Sequence, residues 1–174
     1  MEIQVLNADQ VRQHVDELIA LLQNAVNHGA SIGFYPPPLS AEEARVYWQG
    51  VVAGVEAGSR FVVAALVDGR LAGCVQLGLE TRRNQLHRAE VQKLMVHTAY
   101  RKRGIGQALV VEVDALARAA GRTLLVLDVV LGADAERLYQ RQGYIRAGEI
   151  PYYAMSANDV LETTVLYYRV LDEG

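Results

Sequence analysis

The sequence predicts one α/β (α+β) domain over residues 1–174, a sheet flanked by helices. Three observations predict it. Phe61–Val67 and Leu71–Leu79 are apolar, strand-like runs joined by Asp68-Gly69, the strongest short hairpin signal, so part of the sheet is antiparallel. Apolar residues at three-and-four spacing mark helices near residues 9–28 and 40–57. Between Ala89 and Ala119 runs a strand, a basic glycine turn and an amphipathic helix, and the rest of the chain is organised around that unit.

From the amino terminus, Ile3 to Leu6 reads as a first strand. Asp9 can cap a helix whose apolar positions Val11, Val15, Leu18, Ile19, Leu22 and Val26 keep their spacing to His28 and Gly29. GASIGFYPPPL follows, and Pro36 to Pro38 exclude a helix there. Phe34 and Tyr35 are either walls of a substrate lid or half-buried aromatics of a stiff connector. Ser40 with Glu43 forms a capping box for the next helix, which Gly58 stops. Cys74 lies inside an apolar strand with no base beside it, so it reads as a small core hydrophobe rather than a nucleophile.

In the central strand, simple alternation puts Arg88, Glu90, Gln92, Leu94 and Val96 on one face. Three polar residues in succession on one face of an interior strand suggest that this face opens onto a cleft. Glu90 is then a candidate base, or else a strand carboxylate paired with Arg88 or Lys93. After Gly121, residues 123–130 read as a buried strand with Asp128 as its single charge. Residues 144–150 and 163–170 read as a closing pair of strands. The polar loop between them carries Tyr152 and Tyr153, which can reach an acceptor, and Leu171 to Gly174 are expected to fray.

Composition narrows the function classes. With 174 residues, 51% hydrophobic and 21% charged, the chain has the means to bury a core. Its 17 basic and 20 acidic residues give a net charge of −3, which argues against nucleic acid as a partner. No apolar run approaches the length of a membrane span, and one cysteine excludes an internal disulfide framework, so a reducing cytoplasm is the expectation. His14, His28, His87 and His97 show no paired ligand spacing, so no metal is expected; only His97 lies near the basic turn.

The basic turn has its own chemistry. Helical spacing after it, at Ile105, Leu109, Val110, Val113, Leu116 and Ala117, starts a helix within the glycines. A helix N-terminus leaves backbone N–H groups free and carries positive partial charge, to which Arg101, Lys102 and Arg103 add. A phosphorylated ligand suits it. The spacing is neither that of a P-loop nor that of a dinucleotide fingerprint.

RKRGIG, with Arg101, Gly104 and Gly106 in the matching positions, resembles the pyrophosphate loop of the GNAT acyltransferases, and AERLYQRQGY at 135–144 resembles the family's second hallmark. The resemblance implies a mixed, mostly antiparallel sheet of six or seven strands, with two splayed central strands and about four helices. It implies acetyl-CoA as acetyl donor, held by Leu94, Met95 and Val96 along the pantetheine arm and by Arg101, Lys102, Arg103, Gly104, Ile105, Gly106 and Gln107 at the pyrophosphate. Glu90 stands eleven residues before Arg101, the place of the general base in several members. Asp128 would lie at the splay, as a second base or a binder of the substrate ammonium, or would bond loop amides. Tyr139 falls where the family has the acid that protonates the thiolate; taken alone it is a core tyrosine beside Leu138. Phe34, Tyr35, Gln92, Tyr152 and Tyr153 would line the acceptor side.

The chain departs from the family at Gly132, where many members carry an asparagine that bonds the pantetheine, and in lacking the proline that often follows the central strand. Blocks GASIGF, RAEVQKLMV, RKRGIGQALVVEV and GEIPYY resemble a toxin-acetylating branch of the family. The implied activity is acetylation of a small primary amine such as an amino-acid-like molecule; protein or peptide acetylation and a non-catalytic acyl-CoA-binding module are the alternatives. A homodimer is a further implication of the resemblance.

Overall fold

The computed structural model describes residues 1–171, and Asp172 to Gly174 of the expected frayed tail lie outside them. One seven-stranded sheet runs in the order β1-β2-β3-β4-β5-β7-β6. Its strands are β1 (Glu2–Leu6), β2 (Arg60–Val67), β3 (Arg70–Leu79), β4 (Arg88–Val96), β5 (Leu124–Val130), β6 (Ile145–Met155) and β7 (Leu161–Val170). Every neighbouring pair is antiparallel except β4 and β5. Five helices cover it: α1 (Ala8–Gln13), α2 (Val15–Asn27), α3 (Ala41–Glu56), α4 (Ile105–Ala119) and α5 (Asp134–Arg141).

The sheet divides the core in two. On one side α4 and α5 pack with Val63, Val75, Ala89, Val91, Leu125 and Leu127; on the other, α1 to α3 bury Trp48, Leu18 and Leu22 against Val62, Cys74 and Met95. Leu171, expected to fray, is instead buried at 2% exposure and donates its N–H to the Thr123 carbonyl at 2.8 Å.

Local chemistry set several boundaries differently from the periodicity. The first helix breaks at His14, and its cap is Asn7, in a capping box with Gln10, rather than Asp9. The Ser40–Glu43 box forms as expected, and the hydrogen bonds from Ser40 hold the Glu43 carboxyl below its usual range. The stretch after Ile150 is not a polar loop: β6 continues to Met155, and only residues 156–160 form the turn. Ile150 pairs with Thr164 and Ala154 with Glu162, so β6 holds two extra residues there; Tyr152 lies in this bulge at φ +57°.

One polar cluster is built into the core. Asp114 of α4 accepts from the Tyr144 hydroxyl at 2.9 Å and pairs with Arg169 of β7, whose guanidinium also donates to the Gln142 carbonyl. Truncation to Ala leaves the Tyr144 hydroxyl without its acceptor and the Arg169 guanidinium without its counter-charge, with the Gln142 carbonyl still accepting from it. Asp114→Ala should therefore cost about 2 kcal/mol, less than a fully buried pair because Arg169 keeps some solvent. A denaturation midpoint equal to that of the parent would refute this. Cys74 is fully buried, and desolvation pushes its thiol up to about 12. In the native protein at pH 8 it should resist iodoacetamide and become reactive only in denaturant; modification at the rate of a free thiol without denaturant would contradict this packing.

Candidate active site

The donor cradle starts where β4 ends. A 3-10 turn, Thr98–Tyr100, is capped by His97, whose Nδ1 accepts from the Ala99 N–H at 3.2 Å, so that histidine's task is structural. Gly104 caps α4 at φ +80°, a conformation that costs most side chains, and a Cβ there would meet nothing within 4 Å, so the space over the turn is open. The Arg101 N–H bonds to the Thr98 carbonyl at 3.5 Å, and among the described residues the next amide taken by a backbone acceptor is that of Ala108, bonded to the Gly104 carbonyl at 3.0 Å. The N–H groups of residues 102–107 are thus free to face an anion. Arg101, Lys102 and Arg103 are all exposed around them; Arg103 stacks 5.4 Å from the Tyr100 ring centroid. Gly106 has a second reason to be glycine, since a Cβ would lie 3.1 Å from Leu138 and push α5 away. Gln107 is exposed and Ile105 is a core residue at 2% exposure, so Ile105 offers the cradle its backbone alone.

Beside the cradle the sheet opens. β4 and β5 pair only from Arg88–Leu124 to Glu90–Val126, after which the β5-facing edge of β4 has no strand partner. That unpaired edge runs past Leu94, Met95 and Val96, which fits the amide-bearing arm of an acyl-CoA laid along it. Met95 is 2% exposed, so it too can contribute backbone only, while Leu94 and Val96 are half-buried.

The alternation expected of β4 fails at a bulge. Gln92 pairs with Gln76 and Met95 with Cys74, so one extra residue is inserted at Lys93, whose φ is +52°. Up to the bulge Arg88, Glu90 and Gln92 face the α3 side, opposite Ala89 and Val91; beyond it Leu94 and Val96 pack with the α4 core and Met95 turns to the α3 side. The expected single polar face therefore ends at Gln92.

Glu90 is exposed and makes no hydrogen bond or ion pair among the described residues; Arg88 is committed to Glu80, at 2.8 Å, and to Gln85. It lines a pocket of about 300 Å³ with Gln92, Arg60, Gly50, Gly54 and Gly78. Asp128 lies between Leu127 and Val129, which both pack with the α4 core, so its side chain shares the α3-facing side with Glu90. It is exposed and accepts from the Thr164 hydroxyl at 3.3 Å rather than from loop amides.

Tyr139 sits on the opposite side. It is 5% exposed, packs edge-on to Tyr144 at 5.4 Å, and burial first and then the Asp128 charge push its hydroxyl well above the ordinary range. It is therefore protonated at neutral pH. Gly132 holds no side-chain contact; its N–H donates to Glu136 at 2.8 Å, which fixes the turn into α5.

Residues 29–39 form a roof on the α3 side of the sheet, where Ala30, Ile32, Phe34 and Leu39 join that core. Phe34 meets Tyr47 edge-on at 5.2 Å, and the exposed Tyr35 donates its hydroxyl to Asp159 of the β6–β7 turn, tying the roof down. Tyr152 and Tyr153 are 74% and 54% exposed on β6. The residue missed by the sequence reading is Lys93: its ammonium lies 6.0 Å from the ring centroids of both Phe34 and Tyr47, and a Cβ on Gly33 would be 3.6 Å from it. Only the bulge brings it there, and period-two alternation would have put it on the other face.

The family model for the Acetyltransferase (GNAT) family matches residues 19–144. A protein of Azospirillum brasilense described as an uncharacterized N-acetyltransferase in the hisH-hisA intergenic region is 34% identical over 115 residues, 65% of this chain and 66% of that one, so the match spans just under two thirds of that relative. Among solved structures, an N-acetyltransferase from Staphylococcus aureus Mu50 superposes with a TM-score of 0.82 at 17% identity, covering 98% of each chain. The yncA protein of Salmonella typhimurium, solved with its cofactor acetyl-CoA, gives 0.81 at 16% identity over 100% of this chain and 95% of that one. At such identities the likeness to the two structures is one of fold, and it includes the seven-stranded mixed sheet. With the family model covering most of the chain, the chain belongs to the GNAT family of acetyltransferases.

Proposed function

We propose that the chain, as one catalytic domain, moves the acetyl group of acetyl-CoA to the primary amine of a small, amino-acid-like molecule by direct attack. The observation that carries this is an uncommitted carboxylate, Glu90, at the point where β4 and β5 part. An amine at neutral pH is mostly protonated, and only its free lone pair can form the new C–N bond. Glu90, directly or through a water, takes that proton on the α3-facing side. Asp128 beside it assists as a second base or holds the incoming ammonium. As the C–S bond breaks, Tyr139 gives its phenolic proton to the departing sulfur from the opposite side of the gap. The free amides of the turn and its three cations hold the pyrophosphate.

The acceptor class rests on two supports. The sequence blocks that include GASIGF and RAEVQKLMV resemble the tabtoxin resistance acetyltransferase, whose acceptor is an amino-acid-like β-lactam toxin. The bond from Tyr35 to Asp159 closes the roof across the acceptor side, which suits a small molecule better than a peptide laid in an open groove. Gln92 lines the pocket, and Tyr152 and Tyr153 stand on β6 for the outer part of the acceptor. A lone buried thiol suits a reducing cytoplasm. Exposed Ile145, Ile150, Met155 and Leu161 on the β6–β7 side suit a homodimer, to be read from light scattering.

Acetyl-CoA-dependent thiol release against a panel of amino acids, polyamines, aminoglycosides and amino-acid-like β-lactams tests the reading. Glu90→Gln should lower kcat roughly 100-fold at neutral pH with acetyl-CoA affinity unchanged. Tyr139→Phe should cost about tenfold, since CoA thiolate leaves without much help. Gly104→Glu should abolish acetyl-CoA binding by setting bulk and negative charge over the free amides. Full turnover in both Glu90→Gln and Gly104→Glu would sink the assignment.

A further inference from the structure

Lys93 is a cation on the α3-facing side of β4 whose presence the transfer itself does not require. Its ammonium is half-buried between the roof and α3, over the faces of Phe34 and Tyr47, and among the described residues it forms no hydrogen bond and no ion pair. Arg60, whose charge also acts on Lys93, donates to Gln76 Oε1 at 2.7 Å, which also accepts from Tyr47 at 3.1 Å. Arg88 is committed to Glu80. Burial lowers the Lys93 pKa, while Asp128 and Glu90 act to raise it and Arg60 adds to the lowering. A desolvated ammonium with three unused donors is costly unless an anion meets it.

The backbone is arranged to put it there. Lys93 holds φ +52°, a region that a long side chain rarely adopts, at the one residue by which β4 outruns β3. Bulges beside active sites re-aim side chains, and this one swings the ammonium under the roof. The Lys93 ammonium is therefore walled by two aromatic rings and lies within electrostatic reach of two carboxylates, Asp128 and Glu90.

We propose that Lys93 reads the carboxylate of the acceptor, so that the substrate is an amine carrying a carboxylate, its nitrogen toward Glu90 and Asp128 and its carboxylate on the Lys93 ammonium. This rests on the acetyl transfer proposed above and names a specificity-determining residue for it. The aromatic walls lower the local dielectric and strengthen the pair. A neutral amide in the same place leaves the ammonium unsatisfied, and discrimination follows from that penalty.

The experiment compares kcat/KM for amino acids and for the carboxamides of the same amino acids, in the parent, Lys93→Asn and Lys93→Arg, with acetyl-CoA binding measured by calorimetry on each. Asn is chosen because it tolerates the left-handed backbone and so keeps the bulge. The parent should favour the carboxylates by about tenfold or more, chiefly through KM, as expected for one charge-assisted hydrogen bond. Lys93→Asn should bring the ratio to about one, and Lys93→Arg should keep most of it. Equal use of both forms by the parent, a preference that survives Lys93→Asn, or a loss in that variant that falls equally on both forms would overturn the inference. Acetyl-CoA binding with turnover of carboxamides or polyamines alone would overturn it too, leaving the transferase assignment intact. Absence of acetyl-CoA binding in the parent would sink the transferase assignment and this inference together.

Discussion

The structure depends on the early end of one strand pairing. β4 and β5 are the only parallel neighbours in the sheet, and their ladder covers three residue pairs. A fully paired central ladder would have closed the sheet and left no place for a ligand between strands. Because it stops at Glu90, the β5-facing edge of β4 beyond that point has no strand partner; Arg101 Nε reaches the Val96 carbonyl at 3.4 Å, and the remaining backbone groups at the centre of a domain need a partner. Water or the amide-bearing arm of a ligand must supply it. The same strand then delivers its end to the turn at residues 101–104, where free helix amides wait for phosphate, so cleft and cradle lie along a single line.

The gap also separates the groups proposed above as base and acid. Glu90 and Asp128 look toward α3 because each lies between residues that belong to the α4 core; Tyr139 approaches from α5 on the other side. Base and acid on opposite sides of a gap can act on the same thioester without neutralising one another. Their environments differ in the required sense. The carboxylates are exposed, and the tyrosine is buried, with its hydroxyl held protonated first by desolvation and then by the Asp128 charge.

Much of this was legible in the residues. The Asp68-Gly69 hairpin, the Ser40–Glu43 box and the basic glycine turn are local signals, and local signals survive into the structure because short-range chemistry decides them. What alternation could not show was the bulge at Lys93. A single inserted residue reverses every following side chain, and nothing in the composition of VQKLMV marks it. The continuation of β6 past Pro151 was hidden for a similar reason: the two extra residues of its bulge let a proline and a left-handed Tyr152 sit in an edge strand. His97 looked like a group near a ligand and serves as a cap.

The charges arrange themselves along the line of the cleft. The cradle end is cationic, with Arg101, Lys102 and Arg103 around free amides, and the middle is anionic, with Glu90 and Asp128. The net charge of −3 thus conceals two opposed local fields, which on the proposed function would draw a phosphorylated donor to one end and an amine to the other. Lys93 breaks that simple division by placing a positive group among the acids. A cation there would repel a plain polyamine, whose every charge matches its own, and would accept a zwitterion, whose two charges find opposite partners in turn. Selection between amines can thus come from where one lysine is aimed, which the β4 bulge decides, rather than from the size of the pocket.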